Sequence, residues 1–167
     1  MSADPGVSLD PADVALVRAL QQDARRSNKE LAAAIGLAPS STHQRLKRLR
    51  ERGVLRGTSP DIDPEAVGIG LQAIIALRLE HHEREAVRAM WSQVTGLAEV
   101  RSAFYVGGDD DILLHVCVRD TAHLRDLVMD QLPALGAIGR MRTEIVFDHV
   151  QHDLPIYVDA DVPRSQR

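Results

Sequence analysis

Residues 26–55 read RSNKELAAAIGLAPSSTHQRLKRLRERGVL, and this stretch decides the front of the molecule. Ser27 followed three residues on by Glu30 is a capping box, in which each side chain satisfies a backbone N–H that the first helical turn leaves free. It opens a helix running through Ile35. Gly36 ends that helix, because a residue without Cβ takes the left-handed terminal conformation at little cost. The next helix starts at Ala38-Pro39 and runs to Arg52, with Gly53 as its stop. Leu46 and Leu49 form its apolar side, shared with Thr42 and Gly53. At about 100° per residue, Ser40, Ser41, Gln44, Lys47 and Arg48 point the other way, flanked by Arg45 and Arg52.

Upstream, Asp10-Pro11 starts an earlier helix: the carboxylate caps, and Pro fits the first helical position, where no N–H is needed. Leu9 and Val14 stand at the hydrophobic-staple positions, and Leu16, Val17 and Leu20 continue the buried stripe. Three helices with a short Gly36 turn between the second and third are the spacing of a helix-turn-helix. Val54 to Thr58 reads as a wing strand carrying Arg56. Short polar side chains at the leading end of the third helix can enter a major groove and address base edges. Cations behind them reach phosphates and supply sequence-independent affinity. The expected DNA-contacting set is Asn28, Lys29, Ser40, Ser41, Gln44, Arg45, Lys47, Arg48, Arg52 and Arg56. A solvated basic helix face is the bland alternative, and the helix-turn-helix spacing weighs against it.

The net charge of −4 conceals a split. Residues 1–60 carry ten bases and six acids, a balance of +4; residues 61–167 carry ten and eighteen, a balance of −8. A basic front on an acidic body fits a nucleic-acid partner at one end only. Hydrophobic residues at 44% and charged residues at 26% are globular values, and aromatics at 3% leave the core to Leu, Val, Ile and Ala. No apolar run approaches the roughly 18 residues that cross a bilayer, and no signal-peptide pattern opens the chain. The single Cys117 permits neither an intrachain disulfide nor a CxxC site. A cytoplasmic protein with no membrane contact is expected.

Asp63 to Gly68 is one capped turn, so the domains are expected at 1–60 and 69–150, with a linker over 61–68 and a C-terminal tail over 151–167. Beyond the linker the period changes to two. Leu71 to Leu79 reads as a strand covered on both faces, and Val87, Met90, Trp91 and Val94 as a helix. Ala98–Val106 and Ile112–Val118 are strands, Leu124 to Leu132 a second helix opened by Asp120-Thr121, and Met141–Val150 a last strand. The order β-α-β-β-α-β implies a ferredoxin-like four-stranded sheet with both helices on one face. The other face still carries apolar residues, and a second subunit is its natural cover.

Between the middle strands, Gly107-Gly108-Asp109-Asp110-Asp111 forms a turn. Three adjacent carboxylates repel one another unless solvated or neutralised. A ligand ammonium would relieve this while the N–H groups of Gly107 and Gly108 met its carboxylate. An exposed polar turn is the plain alternative. Among seven histidines, His81-His82 and His149 with His152 are the tempting metal pairs, but strand alternation sends each pair to opposite faces, and no metal or other cofactor is implied. His115 reads as a strand residue at a subunit interface.

The stretch from Asp10 to Gly53 resembles the DNA-binding domain of the Lrp/AsnC, or feast/famine, transcription regulators, with Ala38 where such proteins often carry Ser. VGGDDDILLHV, residues 106–116, is similar to that family's Gly-x-x-Asp turn and following strand, with Gly108 and Asp111 in the matching places. RTEIVF around Thr143 resembles its last strand. The resemblance spans about residues 9–150. It implies a DNA-binding regulator, not an enzyme, that dimerises through its sheets, in many cases forms octamers, and binds a small amino-acid effector at Gly107, Gly108, Asp109, Asp110, Asp111 and Thr143. Siroheme decarboxylases share both domains and offer an enzymatic alternative, for which His115 and Arg101 are the candidates. An effector-independent architectural DNA-binding protein is the third reading.

Overall fold

The computed structural model describes residues 9–57, 62–80 and 83–156. The chain divides at Pro60/Asp61 and again at Val150/Gln151 into two compact units. In the first unit, helices α1 (Pro11–Gln22), α2 (Asn28–Ile35) and α3 (Pro39–Glu51) pack around Leu16, Ala19, Leu31, Leu46 and Leu49. Their ends follow the local chemistry. The Asp10 carboxylate accepts the N–H of Asp13 at 2.8 Å. Both arms of the Ser27–Glu30 capping box are present, and Gly36 takes φ +68° at the end of α2. Ala38 caps α3 without a side-chain hydrogen bond, as its side chain dictates.

Two expectations in this unit are corrected. No strand forms over residues 54–57; instead the N–H groups of Val54 and Leu55 both donate to the Leu49 carbonyl, at 2.9 and 3.2 Å. Both side chains pack against the helical core, so this segment prolongs the end of α3 rather than reaching out as a wing. Thr58 lies outside the described residues. Residues 151–156 are also no mere appendage. They belong to the first unit, where Gln21 Nε2 donates to the Leu154 carbonyl at 2.9 Å. The tail from Val158 onward lies outside the described residues, as do His81 and His82.

The second unit opens with a 3₁₀ turn, Glu65–Val67, in which the Asp63 carboxylate accepts the Glu65 N–H at 3.1 Å. Strands β1 (Leu71–Leu79), β2 (Val100–Tyr105), β3 (Ile112–Val118) and β4 (Ile138–Val146) form one antiparallel sheet in the order β2-β3-β1-β4. Helix α4 (Arg84–Val94) follows β1. After β3 comes α5 (Thr121–Asp126), which continues through a π-helical stretch, Leu127–Gln131, into a last turn, α6 (Leu132–Ala134). Alternation places Ala73, Ile75, Leu77 and Leu79 of β1 and Ile112, Leu114, Val116 and Val118 of β3 on one face. There they bury Met90, Val94, Leu124, Leu127 and Leu132 from the helices. This is the expected α+β layout, with a helix-turn-helix in front of it.

β4 starts earlier than the apolar pattern suggests, at Ile138 rather than Met141, and ends at Val146. The Ala137 carbonyl accepts the Glu80 N–H at 3.0 Å and the β1 register shifts at Arg78/Leu79. Gly139 fits there because a Cβ would meet the Glu80 side chain at 3.1 Å. Asp148 and His149 therefore lie beyond the strand. Among the described residues no helix is long and apolar enough to cross a membrane.

Candidate functional site

The first candidate surface is α3. Ser40, Ser41, Gln44, Lys47, Arg48 and Arg52 are exposed on it, as are Lys29 on α2 and Arg56 after it. Lys47 Nζ lies 3.8 Å from Glu51 Oε1, both side chains remaining largely in solvent. The opposite side of α3 is fixed: Leu46 and Leu49 are in the core, and fully buried Thr42 returns its hydroxyl to the Ala38 carbonyl at 3.2 Å. The helix thus presents polar residues first and cations further along.

Two expected members of the DNA-contacting set are engaged elsewhere. The Asn28 amide donates to the Pro39 carbonyl at 2.8 Å, tying the start of α2 to the start of α3, and its buried Oδ1 has no hydrogen-bond partner among the described residues. Arg45 turns toward α1. Its Nη1 donates to Asp10 at 2.5 Å and to Asp13 at 2.7 Å. The Arg45 hydrogen bond, with the Asp13 N–H second, holds the Asp10 carboxyl below its usual pKa, and the same pairs raise that of Arg45. Arg48 is shared: Nη2 meets both Asp13 oxygens, at 3.0 and 2.9 Å, while its side chain stays about half exposed. Asp13, 1% exposed, is the residue that reading the sequence missed. A signal was present, since Asp10 and Asp13 at i, i+3 match Arg45 and Arg48 at i, i+3.

Arg45→Ala removes both of its acid contacts and leaves the buried Asp13 to Arg48 alone. A buried charge that loses a partner is left under-solvated, so a loss of about 2–3 kcal/mol is expected in the first unit. A urea midpoint for the full chain equal to the wild type's would show that these pairs contribute nothing net.

The second candidate surface is the Gly107–Asp111 turn. Two of its acids, Asp110 and Asp111, are paired within the chain. Arg78 of β1 donates through Nη1 to the carbonyls of Gly108 at 2.9 Å and Asp109 at 3.0 Å. Arg140 and Arg142 of β4 approach the two oxygens of Asp110 at 3.3 and 3.2 Å. Asp111 is buried; it accepts the Leu79 N–H at 2.9 Å, with Arg78 Nε at 3.7 Å. Asp111 therefore staples the turn to β1 instead of facing outward for a ligand ammonium, and Asp109 is the exposed acid of the three. Gly108 holds φ +139°, a conformation that L side chains rarely adopt, with open space where a Cβ would stand.

Thr143 is not gathered to this turn. It pairs with Ile75 and so shares the helix-covered face, whereas its neighbour Arg142 reaches Asp110 from the other face. Next to the turn, Tyr105 ends β2 and, with Arg84, Val87, Arg88 and Trp91, lines an open cleft of about 510 Å³. The sequence offered Trp91 and Val87 only as core positions.

The face of the sheet away from the helices carries Gln72, Ile74, Ala76, Phe104, Leu113, His115 and Cys117, with Arg140, Arg142 and Glu144 along the β4 edge. Phe104 remains 54% exposed. His115 Nε2 lies 2.8 Å from Gln72 Oε1, and its ring meets that of His149 edge-on at 5.6 Å. Burial first, then His149 and Arg101, lower the His115 pKa. Of the two residues named for the enzymatic alternative, Arg101 thus lies close enough to act on the charge of His115. Among the described residues no three His, Cys, Asp or Glu side chains are grouped to hold a metal ion.

Known proteins carry the same two parts in the same order. The AsnC-type helix-turn-helix domain matches residues 9–50, and the Lrp/AsnC ligand binding domain matches residues 72–156. The HTH-type transcriptional regulator AldR of Mycolicibacterium smegmatis is 39% identical over 89% of this chain and 86% of its own. The leucine-responsive regulatory protein of Rhizobium meliloti is 30% identical over 87% and 93%. A transcriptional regulator of Neisseria meningitidis, solved in complex with L-Met, superposes with a TM-score of 0.82 at 27% identity, covering 92% of this chain and 99% of that one. These relatives are transcriptional regulators, which decides against the decarboxylase alternative. The chain is a member of the Lrp/AsnC family of DNA-binding transcriptional regulators.

Proposed function

We propose that the protein works as a dimer on a near-palindromic operator, and that a small amino acid bound to its second domain changes operator affinity or assembly. The observation that carries the DNA part is the exposed face of α3, polar at its leading end and cationic behind, held on a packed core. Ser40, Ser41 and Gln44 address base edges; Lys29, Lys47, Arg48, Arg52 and Arg56 address phosphates. Two such helices related by a two-fold axis read half-sites one or more turns apart. The dimer is supported by the half-apolar face of the sheet away from the helices, on which Phe104 is 54% exposed and Ile74 and Leu113 are only partly buried. The effector is supported by the ligand-binding domain match and by the L-Met found with the Neisseria relative.

The DNA part is tested by selecting a preferred duplex from a random library and titrating variants against it. Gln44→Ala is expected to relax the preference at one or two base pairs, each worth about 1–3 kcal/mol. Lys47→Ala is expected to weaken all duplexes alike and to reduce the slope of log affinity against log salt by about 0.9. If both variants bind as the wild type does, α3 is not the DNA-contacting helix.

A further inference from the structure

Asp13 lies on α1, away from the exposed face of α3, yet it grips a cation of that face. Its side chain is 2% exposed, and Arg48 meets it through one nitrogen only, Nη2, at 2.9 and 3.0 Å. The other donors of that guanidinium, Nη1 and Nε, make no hydrogen bond among the described residues, and the side chain is 48% exposed. Arg45 is likewise held through one nitrogen, Nη1, between Asp10 and Asp13, but its side chain is 25% exposed against 48% for Arg48, whose Nη2 also lies 3.9 Å from Asp10. Arg45 therefore belongs to the contact between α1 and α3, while Arg48 is held by one nitrogen with the rest of its guanidinium toward solvent.

A purely stabilising role explains this poorly. Apolar residues of similar volume join two helices at least as well as a buried ion pair does. A carboxylate adds direction. The guanidinium is planar with fixed donor geometry, so anchoring Nη2 orients the rest of the fork. A free Arg loses rotamer freedom when it grips a phosphate; Arg48 has given it up on folding, which removes that cost from binding.

We propose that Asp13 is a positioning residue for DNA binding, aiming the open edge of Arg48 at a backbone phosphate. This rests on α3 being the DNA-contacting helix, and Gln44→Ala in the same series separates the two ideas: an altered base preference there upholds that reading whatever Asp13 does. Removing the Asp13 charge also lessens repulsion of the phosphates. That gain opposes the loss of an aligned charged hydrogen bond, which is about tenfold or more, so tighter binding by Asp13→Asn would overturn the proposal as surely as unchanged binding.

The test uses the full-length protein and a duplex enriched from a random library by the wild-type chain. Asp13→Asn is expected to bind it about tenfold more weakly with an undiminished salt slope, because Arg48 keeps its charge and loses only its aim. Arg48→Ala is expected to lose affinity and to reduce the slope by about 0.9. In the double variant, Asp13→Asn should add less than about twofold to the Arg48→Ala loss. Penalties that multiply, or wild-type binding by Asp13→Asn, would overturn the proposal. Should Asp13→Asn fail to fold, the half-exposed Arg48→Lys decides. It keeps the charge without a planar fork, so about tenfold weaker binding at an unchanged slope supports the proposal, and wild-type affinity overturns it.

Discussion

Ile74→Arg is expected to turn the proposed dimer into monomers that keep their fold. Ile74 stands on β1, next to the centre of the sheet, on the face that no helix covers, and its cross-strand neighbours are His115 and Glu144. Within one chain an Arg there faces the Glu144 carboxylate across the strand pair, an arrangement worth a few tenths of a kcal/mol in its favour. Across a two-fold axis the same Arg enters a sheet-to-sheet contact and must be desolvated in both copies. A buried charge without adequate partners costs about 3–5 kcal/mol, or about 10²–10⁴-fold in dissociation constant. Sedimentation at micromolar concentration reads the loss of the dimer, and circular dichroism checks that the sheet survives. A variant that sediments as the wild type does would mean that the open face is not the dimer contact. Removal of residues 1–60 should leave the dimer intact, which assigns the contact to the second unit rather than to the helix-turn-helix.

The main elements were legible in the sequence because each carried both a period and an end signal. Ser27 with Glu30, Gly36, Asp120 and the alternation of Leu71 to Leu79 needed no tertiary information. β4 was read three residues late because its start depends on a non-local event, the Glu80–Ala137 hydrogen bond and the register shift at Arg78/Leu79. The expected wing failed for a related reason. Val54 and Leu55 have strand-forming side chains, but a strand needs a partner, and the end of α3 supplied backbone and apolar contacts instead. Among the candidate residues, helical phase placed Gln44 and Lys47 on the exposed face. Phase could not assign Arg45, which sits between two faces and follows whichever acids lie opposite. The arginine contacts of this turn were invisible for the same reason: Arg78, Arg140 and Arg142 come from strands 30 or more residues away.

Gly108→Val is expected to abolish the response to an amino-acid effector while leaving basal binding to a single half-site unchanged. The disruption is conformational. Nothing lies within 4 Å of a Cβ at this position, but φ +139° is a region that a β-branched residue does not hold. Relaxing it moves the Gly108 and Asp109 carbonyls off Arg78 and shifts Asp110 against Arg140 and Arg142. The turn then loses its fixed position relative to β1 and β4. A ligand couples to DNA only through a difference in affinity between two states of the protein, ordinarily about 1–3 kcal/mol, or about 5–150-fold. If the ordered turn is what the effector distinguishes, that factor collapses toward one. Half-site binding survives because Gly108 lies in the second unit and α3 in the first. The experiment is operator titration with and without each of a panel of L-amino acids, with the melting shift recorded beside it, since binding to the folded state raises the melting temperature. Loss of both the affinity change and the melting shift supports the turn as the site. A full response in Gly108→Val would move the effector away from the turn, and Trp91→Ala would then test the cleft between α4 and Tyr105.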